Sequence, residues 1–426
     1  NFVVNRAELK SNFLKSSWWS FKALAFRAIG GLTINKLFSI YLGPAGLTLL
    51  SHFQNLTSLF TLVPSEGVNR GIMKYWSDPK LSEAEKKEVF QSGIWVTLTI
   101  YLLTFLGLYV WQGDFFFNRF IQDLSASRFL TIFIPAVLLM LLSGYLNSVI
   151  LALRRVRAYA IINIIGLILL VGAVYLGIQS GNQDQALLSF ALGYGLMFFC
   201  ALVYLLANQK TYRLSVGKPN KRALGRIFKF LAMAVSAIIF GRFLDFMVRD
   251  YVIDLYGLER TGYWQAVAKM STSYLLVFTG TVGVVYYPKM ASLIHEHGEL
   301  KSYVLRVMGF VCFVSVIALG IYWLNKEFVL KLFFANGFEK GAYLVKYQVV
   351  GDFFSILSYL LAYLLSARVE TIKYIFAQLF SALIYVVLIT VLIDHFELEA
   401  LTIAYMFRYV GFFFLLLWLN RRSLFR

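Results

Sequence analysis

The sequence predicts an all-α polytopic membrane protein: about twelve transmembrane helices in two pseudo-symmetric six-helix lobes with a central cationic cavity. Three observations predict it. The 426 residues are 59% hydrophobic and only 15% charged, against about 45–50% and about 25% in soluble domains. The apolar residues fall in runs of membrane-spanning length. The charges inside those runs are concentrated in half of them, and bases outnumber acids.

Mean hydropathy is +0.70. A water-soluble fold has too little interior to hide that much apolar surface, so lipid must solvate most of it. A net charge of +18 would suggest nucleic acid in a soluble chain. Here the placement of the bases explains it by topology. Cys200 and Cys312 both sit in apolar runs and form no disulfide framework. The chain begins at Asn1, and the native start is expected to precede it.

A span needs roughly 20 mostly apolar residues. Twelve are predicted, at about 17–42, 46–75, 89–111, 128–153, 158–178, 186–208, 225–256, 261–290, 302–325, 341–367, 371–394 and 397–420. Pro64 and Pro288 are candidate kinks, since each removes an N–H from the helical ladder. Trp18, Trp19, Trp76, Trp111, Trp323 and Trp418 fall at span ends, where an aromatic belt is expected. Most lysines and arginines lie in one set of connections, which includes both termini and Arg154-Arg155-Val156-Arg157. That set is therefore cytoplasmic.

The longest basic connector, 209–226, divides the spans six and six. The predicted division is an N-lobe at 1–208, a linker at 209–226 and a C-lobe at 227–426. An even span count gives both halves one orientation, as in parallel repeats about an axis along the membrane normal. A weak echo supports the repeat. Leu42-Gly43-Pro44-Ala45-Gly46, between spans 1 and 2, matches Tyr256-Gly257 to Gly262, between spans 7 and 8. Arg27 and Arg242 fall in near-equivalent places.

Charges within the spans are Lys22, Arg27, Lys36, Glu66, Arg70, Arg242, Asp245, Lys269, Lys346, Asp352 and Arg408. Lys22, Lys36 and Lys346 lie near span ends and can snorkel. Each of the others costs roughly 3 kcal/mol facing lipid. Their sum exceeds the net stability of a domain, about 5–15 kcal/mol, so they face one another or a wet cavity. They occupy spans 1, 2, 7, 8, 10 and 12. Glu66 and Arg70 share a helix face at i,i+4, and Asp245 sits within reach of Arg242 and Arg249. Structural ion pairing accounts for part of this set, and Arg408 fits that reading too. The basic excess on spans 1, 7 and 8 suits an anionic cargo such as a phosphate group.

No GxxxxGK[ST] loop, HExxH or CxxC occurs, and no nucleophile lies beside a base. His295-Glu296-His297 reads as a solvated loop rather than a metal site. Transport without an ATPase or a cofactor remains, driven by a proton or Na⁺ gradient or by the cargo's own gradient.

Lys36-Leu37-Phe38, Leu42 to Leu47, Phe53-Gln54 and Met73-Lys74-Tyr75 resemble the first helical hairpin of the O-antigen and lipid III flippases. That group is the polysaccharide-transporter branch of the superfamily containing the multidrug and toxic compound extrusion (MATE) transporters. Phe246-Met247-Val248-Arg249, Tyr263-Trp264-Gln265 and Tyr287-Pro288-Lys289-Met290 fit its seventh and eighth helices. Gln348 to Asp352 and Ala367-Arg368 fit the tenth and beyond. No one motif is specific; their order and spacing over about 20–420 is. The resemblance implies a non-enzymatic flippase of the bacterial inner membrane with both termini cytoplasmic. Its cargo would be an oligosaccharide on undecaprenyl pyrophosphate, moved to the periplasmic leaflet by alternating access. Membrane lipids, and the polymerase and chain-length proteins of the same pathway, are implied partners; nucleic acid is not.

The expected substrate-binding residues are Arg27, Arg70, Arg242, Arg249 and Lys269. Glu66, Asp245 and Asp352 are expected to couple an ion or gate. Arg249 and Asp352 carry the family resemblance as well as charge logic. The alternatives are a cation-coupled multidrug exporter of the same fold, for which an acidic cavity would be expected, and a membrane-embedded polysaccharide-assembly enzyme, for which the short periplasmic loops leave little room.

Overall fold

Gly43 and Gly257 take nearly the same backbone conformation, φ 64°, ψ −162° and φ 72°, ψ 172°. A positive φ is open to glycine because it lacks the Cβ that would clash. Each glycine ends one helix, and the next begins immediately. Pro44 follows Gly43 at the first helical position, where its missing N–H costs nothing. Thr48 then bonds back to the Pro44 carbonyl at 3.2 Å, and Thr261 to the Gly257 carbonyl at 2.6 Å. The two connections paired by the sequence echo are thus built alike.

The computed structural model describes residues 6–76, 81–110, 120, 124–153, 155–208, 217–237, 243–293, 296–368 and 370–421. These are almost entirely helical. α1 (Arg6–Val63) holds the first hairpin and breaks at Gly43. It passes through a π-helical turn, Pro64–Asn69, into α2 (Arg70–Trp76). Pro64 therefore marks a change of helical pitch. Then come α3 (Glu83–Val110), α4 (Ala126–Ala152), α5 (Val156–Gln179), α6 (Gln183–Ala207) and α7 (Lys221–Ala237). α8 (Leu244–Ser292) holds the second hairpin; its break falls at Gly257, and Pro288 lies within its helical run. α9 (His297–Leu324), α10 (Lys326–Phe333), a 3₁₀ turn (Phe338–Leu344), α11 (Val345–Ala367), α12 (Thr371–Phe396) and α13 (Glu399–Leu419) complete the chain. His295 lies outside the described residues.

Among the described residues, nine helical stretches are long and apolar enough to cross a membrane. The two passes in α1 count as one of these. The two passes of α8 are not among them. The chain is a multi-pass membrane protein.

The helices group into two compact units, 1–30 with 49–250 and 31–48 with 251–426. In the first unit α6 packs on α4 and α5. Its core gathers Ile72, Phe90, Tyr145, Val149 and Ile227. Gly93 has no Cβ because the Tyr145 phenol occupies that space. The Tyr145 hydroxyl donates to the Phe90 carbonyl there. In the second unit α13 packs on α11 and α12, around Tyr286, Met290, Leu360, Leu364, Phe412 and Leu416. The tips of both hairpins belong to this second unit. A Cβ on Gly262 would overlap the Pro44 carbonyl, and Thr48 donates to the Leu258 carbonyl at 2.8 Å.

Candidate substrate and coupling site

In the first unit, Arg27 lies exposed on α1. Glu66 falls in the π-helical turn and Arg70 opens α2; their side chains lie outside the described residues, as does Arg242 altogether. Asp245 is half-buried near the start of α8. Arg249, one turn later, donates from Nη1 to the Ser51 carbonyl at 2.7 Å. The sequence placed Asp245 between two arginines; the structure turns one guanidinium arm of Arg249 to the main chain of α1.

Beside that contact is a residue absent from the sequence-derived set. His52 is 1% exposed. Its Nε2 stands 3.5 Å from Oδ1 of Asp250. Its ring stacks on Phe246, with centroids 4.4 Å apart and planes at 18°, and lies 5.2 Å from Phe120. Consecutive residues of α1, Ser51 and His52, thus meet consecutive residues of α8, Arg249 and Asp250.

In the second unit, Lys269 is half-buried on α8. Asp352, on α11, is fully buried. A bare carboxylate there would be prohibitive, and four donors surround it. Ser271 and Tyr274 reach it from α8. Tyr405 reaches it from α13 at 2.8 Å. Gln348, one turn earlier on α11, donates at 3.3 Å and also holds the Ser271 hydroxyl at 3.2 Å. Gly351 makes the cage possible, because a Cβ there would run into the Tyr405 ring. Tyr322 of α9 sits alongside, its ring 6.2 Å from that of Tyr274. Its hydroxyl is buried with no hydrogen-bond partner among the described residues.

The remaining intramembrane cations found local partners. Lys36 donates to the Leu332 carbonyl at 2.6 Å, at the C-terminal end of α10 where a cation is favoured. Arg408 donates through Nε to Ser381 at 2.9 Å and lies over the rings of Tyr385 and Tyr409, at 5.1 and 5.3 Å. Lys346 lies 5.0 Å from the Tyr347 ring centroid. Asp184 is a buried acid the sequence did not single out. It opens α6, where the helix dipole favours an anion, and accepts from the Leu124 amide at 2.9 Å.

Paired helical hairpins with carboxylates and cations held inside an otherwise apolar chain are the features of a polytopic transporter. Solved structures with the same fold agree. An inward-facing multidrug resistance MATE family transporter of the MOP superfamily matches with a TM-score of 0.74 at 12% identity, covering 94% of both chains. The lipid II flippase MurJ, in an inward closed conformation, matches at 0.73 and 15%, covering 96% of this chain and 87% of that one. The chain therefore has a MATE-like fold. No protein-family profile matches it. In sequence it is similar to the lipid III flippases of Escherichia coli (strain K12) and Shigella flexneri. Each is 26% identical over 421 residues, covering 96% of this chain and 99% of the relative.

Proposed function

We propose that the chain is a flippase for an undecaprenyl-pyrophosphate-linked oligosaccharide, of the O-antigen or lipid III kind. It moves this cargo from the cytoplasmic to the periplasmic leaflet of the bacterial inner membrane, with both termini cytoplasmic. The observation that carries the reading is the end-to-end similarity to proteins named as lipid III flippases. The excess of bases over acids within the spans supports it, because the cargo's headgroup is an anion that must cross the apolar midplane.

In this reading two six-helix lobes alternate around a cationic cavity. Arg27, Arg70, Arg242, Arg249 and Lys269 take the pyrophosphate and any acidic sugars, while the polyprenyl tail stays in lipid. Arginine suits this role because its planar fork meets two phosphate oxygens at once. Coupling to a proton or Na⁺ gradient runs through the intramembrane acids, with Glu66, Asp245 and Asp352 as the starting set. The polymerase and chain-length proteins of the same pathway receive the product.

Deleting the gene in its own host tests this. Lipid-linked oligosaccharide is expected to accumulate behind the inner membrane while surface polysaccharide is lost. Unchanged surface polysaccharide, or a phenotype confined to drug sensitivity, contradicts it.

A further inference from the structure

We infer that His52 and Asp250 form a proton-binding site of the transport cycle, in addition to the acids named above. The inference rests on the flippase reading for the cycle that the proton serves, but the site itself stands on geometry. Four histidines occur in the chain, and among the described residues His52 is the one buried inside a membrane-spanning helix. An imidazole is the side chain whose ordinary titration lies between about pH 5 and about pH 8. Here its Nε2 faces a carboxylate at 3.5 Å. Taking up a proton converts a neutral imidazole beside an anion into an imidazolium–carboxylate pair. The proton comes from water and stays on the ring, and nothing else changes covalently.

The surroundings bear on both states. Burial disfavours the imidazolium. The stacked Phe246 face and the nearby Phe120 ring favour it, as aromatic faces do for cations. Among the described residues, the charged groups on the packed elements include Asp245, Arg249 and Asp250 on α8 and Asp184 at the start of α6. Arg249 sends one arm to the Ser51 carbonyl, and Asp184 is engaged by the Leu124 amide. Arg128, at the start of α4, is exposed.

Asp352 offers a contrast. Its oxygens already accept from four donors. Three of these fall on Oδ1 and one on Oδ2, so neutral hydroxyl and amide donors, rather than a second titratable group, face its charge. At His52 a proton adds an attraction to the carboxylate that faces the ring. Position also suits the role. His52 follows Gly43 by nine residues and Asp250 precedes Gly257 by seven, about 13 Å and about 10 Å along their helices. His52 therefore lies nearer the hairpin tip, the periplasmic end in the proposed orientation, than the Val63 end of α1, and Asp250 lies midway between Leu244 and the tip at Gly257. Protonation from that side strengthens the tie between α1 and α8, and loss of the proton weakens it.

The test uses full-length protein in nanodiscs with ¹⁵N-labelled histidine, followed by NMR from about pH 5 to about pH 8. His52→Gln assigns the His52 signal. That signal is expected to titrate within this window in the wild type, and Asp250→Asn is expected to lower its midpoint. A His52 signal that does not move, or that moves identically in Asp250→Asn, overturns the site. A second arm measures binding of geranylgeranyl pyrophosphate at the two ends of the window. The wild type is expected to change affinity several-fold more than either variant; the titration of the pyrophosphate itself is common to all three and cancels. An equal pH response in all three proteins overturns the coupling role. If the wild type binds no polyprenyl pyrophosphate at either pH, the flippase reading fails, and the NMR arm still decides the proton site. Should Gln at position 52 disturb packing, Asp250→Asn and the wild-type titration decide it.

Discussion

Arg249 holds the main-chain carbonyl of Ser51 at 2.7 Å, so part of a predicted anion-binding guanidinium is spent on tying α8 to α1. A guanidinium has five N–H donors, and one bond to a carbonyl does not exhaust it. The residue can therefore both position a helix and face a phosphate.

Replacing Arg249 is expected to separate these roles. Arg249→Ala removes both, and surface polysaccharide is lost while the protein still inserts in the membrane. Arg249→Lys keeps a charge but loses the planar fork. It is expected to retain thermal stability better than Ala yet deliver little glycan. Polysaccharide staining beside membrane-fraction immunoblots and melting curves reads the difference. Wild-type polysaccharide in both variants removes Arg249 from the site.

Asp352 is expected to matter to stability as well as to transport. Asp352→Ala leaves Ser271, Tyr274, Gln348 and Tyr405 without their shared acceptor. Each orphaned buried group costs about 1–3 kcal/mol, so a clear drop in Tm is expected in detergent. Tyr405→Phe removes one donor and should cost about 1 kcal/mol. A Tm unchanged in Asp352→Ala contradicts the cage.

Gly351→Ala is expected to destabilise by about 1–3 kcal/mol through overpacking, because its Cβ meets the Tyr405 ring and the Met406 main chain. Gly31→Ala is the control, since a Cβ there meets nothing within 4 Å. Equal melting temperatures for the two variants would show that Tyr405 does not need this approach.

Arg408 is expected to be structural. It donates to Ser381 and lies over two tyrosine rings. Arg408→Lys loses the Nε bond and much of the stacking, and should lower stability by about 1–2 kcal/mol while glycan delivery persists. Loss of delivery without loss of stability would return Arg408 to the transport machinery.

Much of the fold was legible because lipid constrains sequence so strongly. Helix length, basic connectors and the glycines at 43 and 257 all follow from local physics. The charge of α8 was also visible, in Asp245, Arg249, Asp250 and Lys269. Asp352 could be picked out as a buried acid, but not its cage. Three of its four donors come from α8 and α13, about 80 positions before and 53 after in the chain, and serine and tyrosine in a span carry no local mark. His52 was missed for a related reason. A lone histidine on an apolar helix reads as core, and its carboxylate lies on another helix 198 positions away. The signal available was the match of Ser51-His52 with Arg249-Asp250, which becomes visible only once the helices are paired.

The central claim is that this chain moves a polyprenyl-pyrophosphate-linked glycan across a bilayer. Purified protein in liposomes, with a fluorescent polyprenyl-pyrophosphate oligosaccharide in one leaflet and a membrane-impermeant quencher outside, measures that directly. The account predicts protein-dependent transfer between leaflets that Arg249→Ala abolishes. Transfer no faster than in protein-free liposomes, across pH and Na⁺ gradients of either sign, would contradict it.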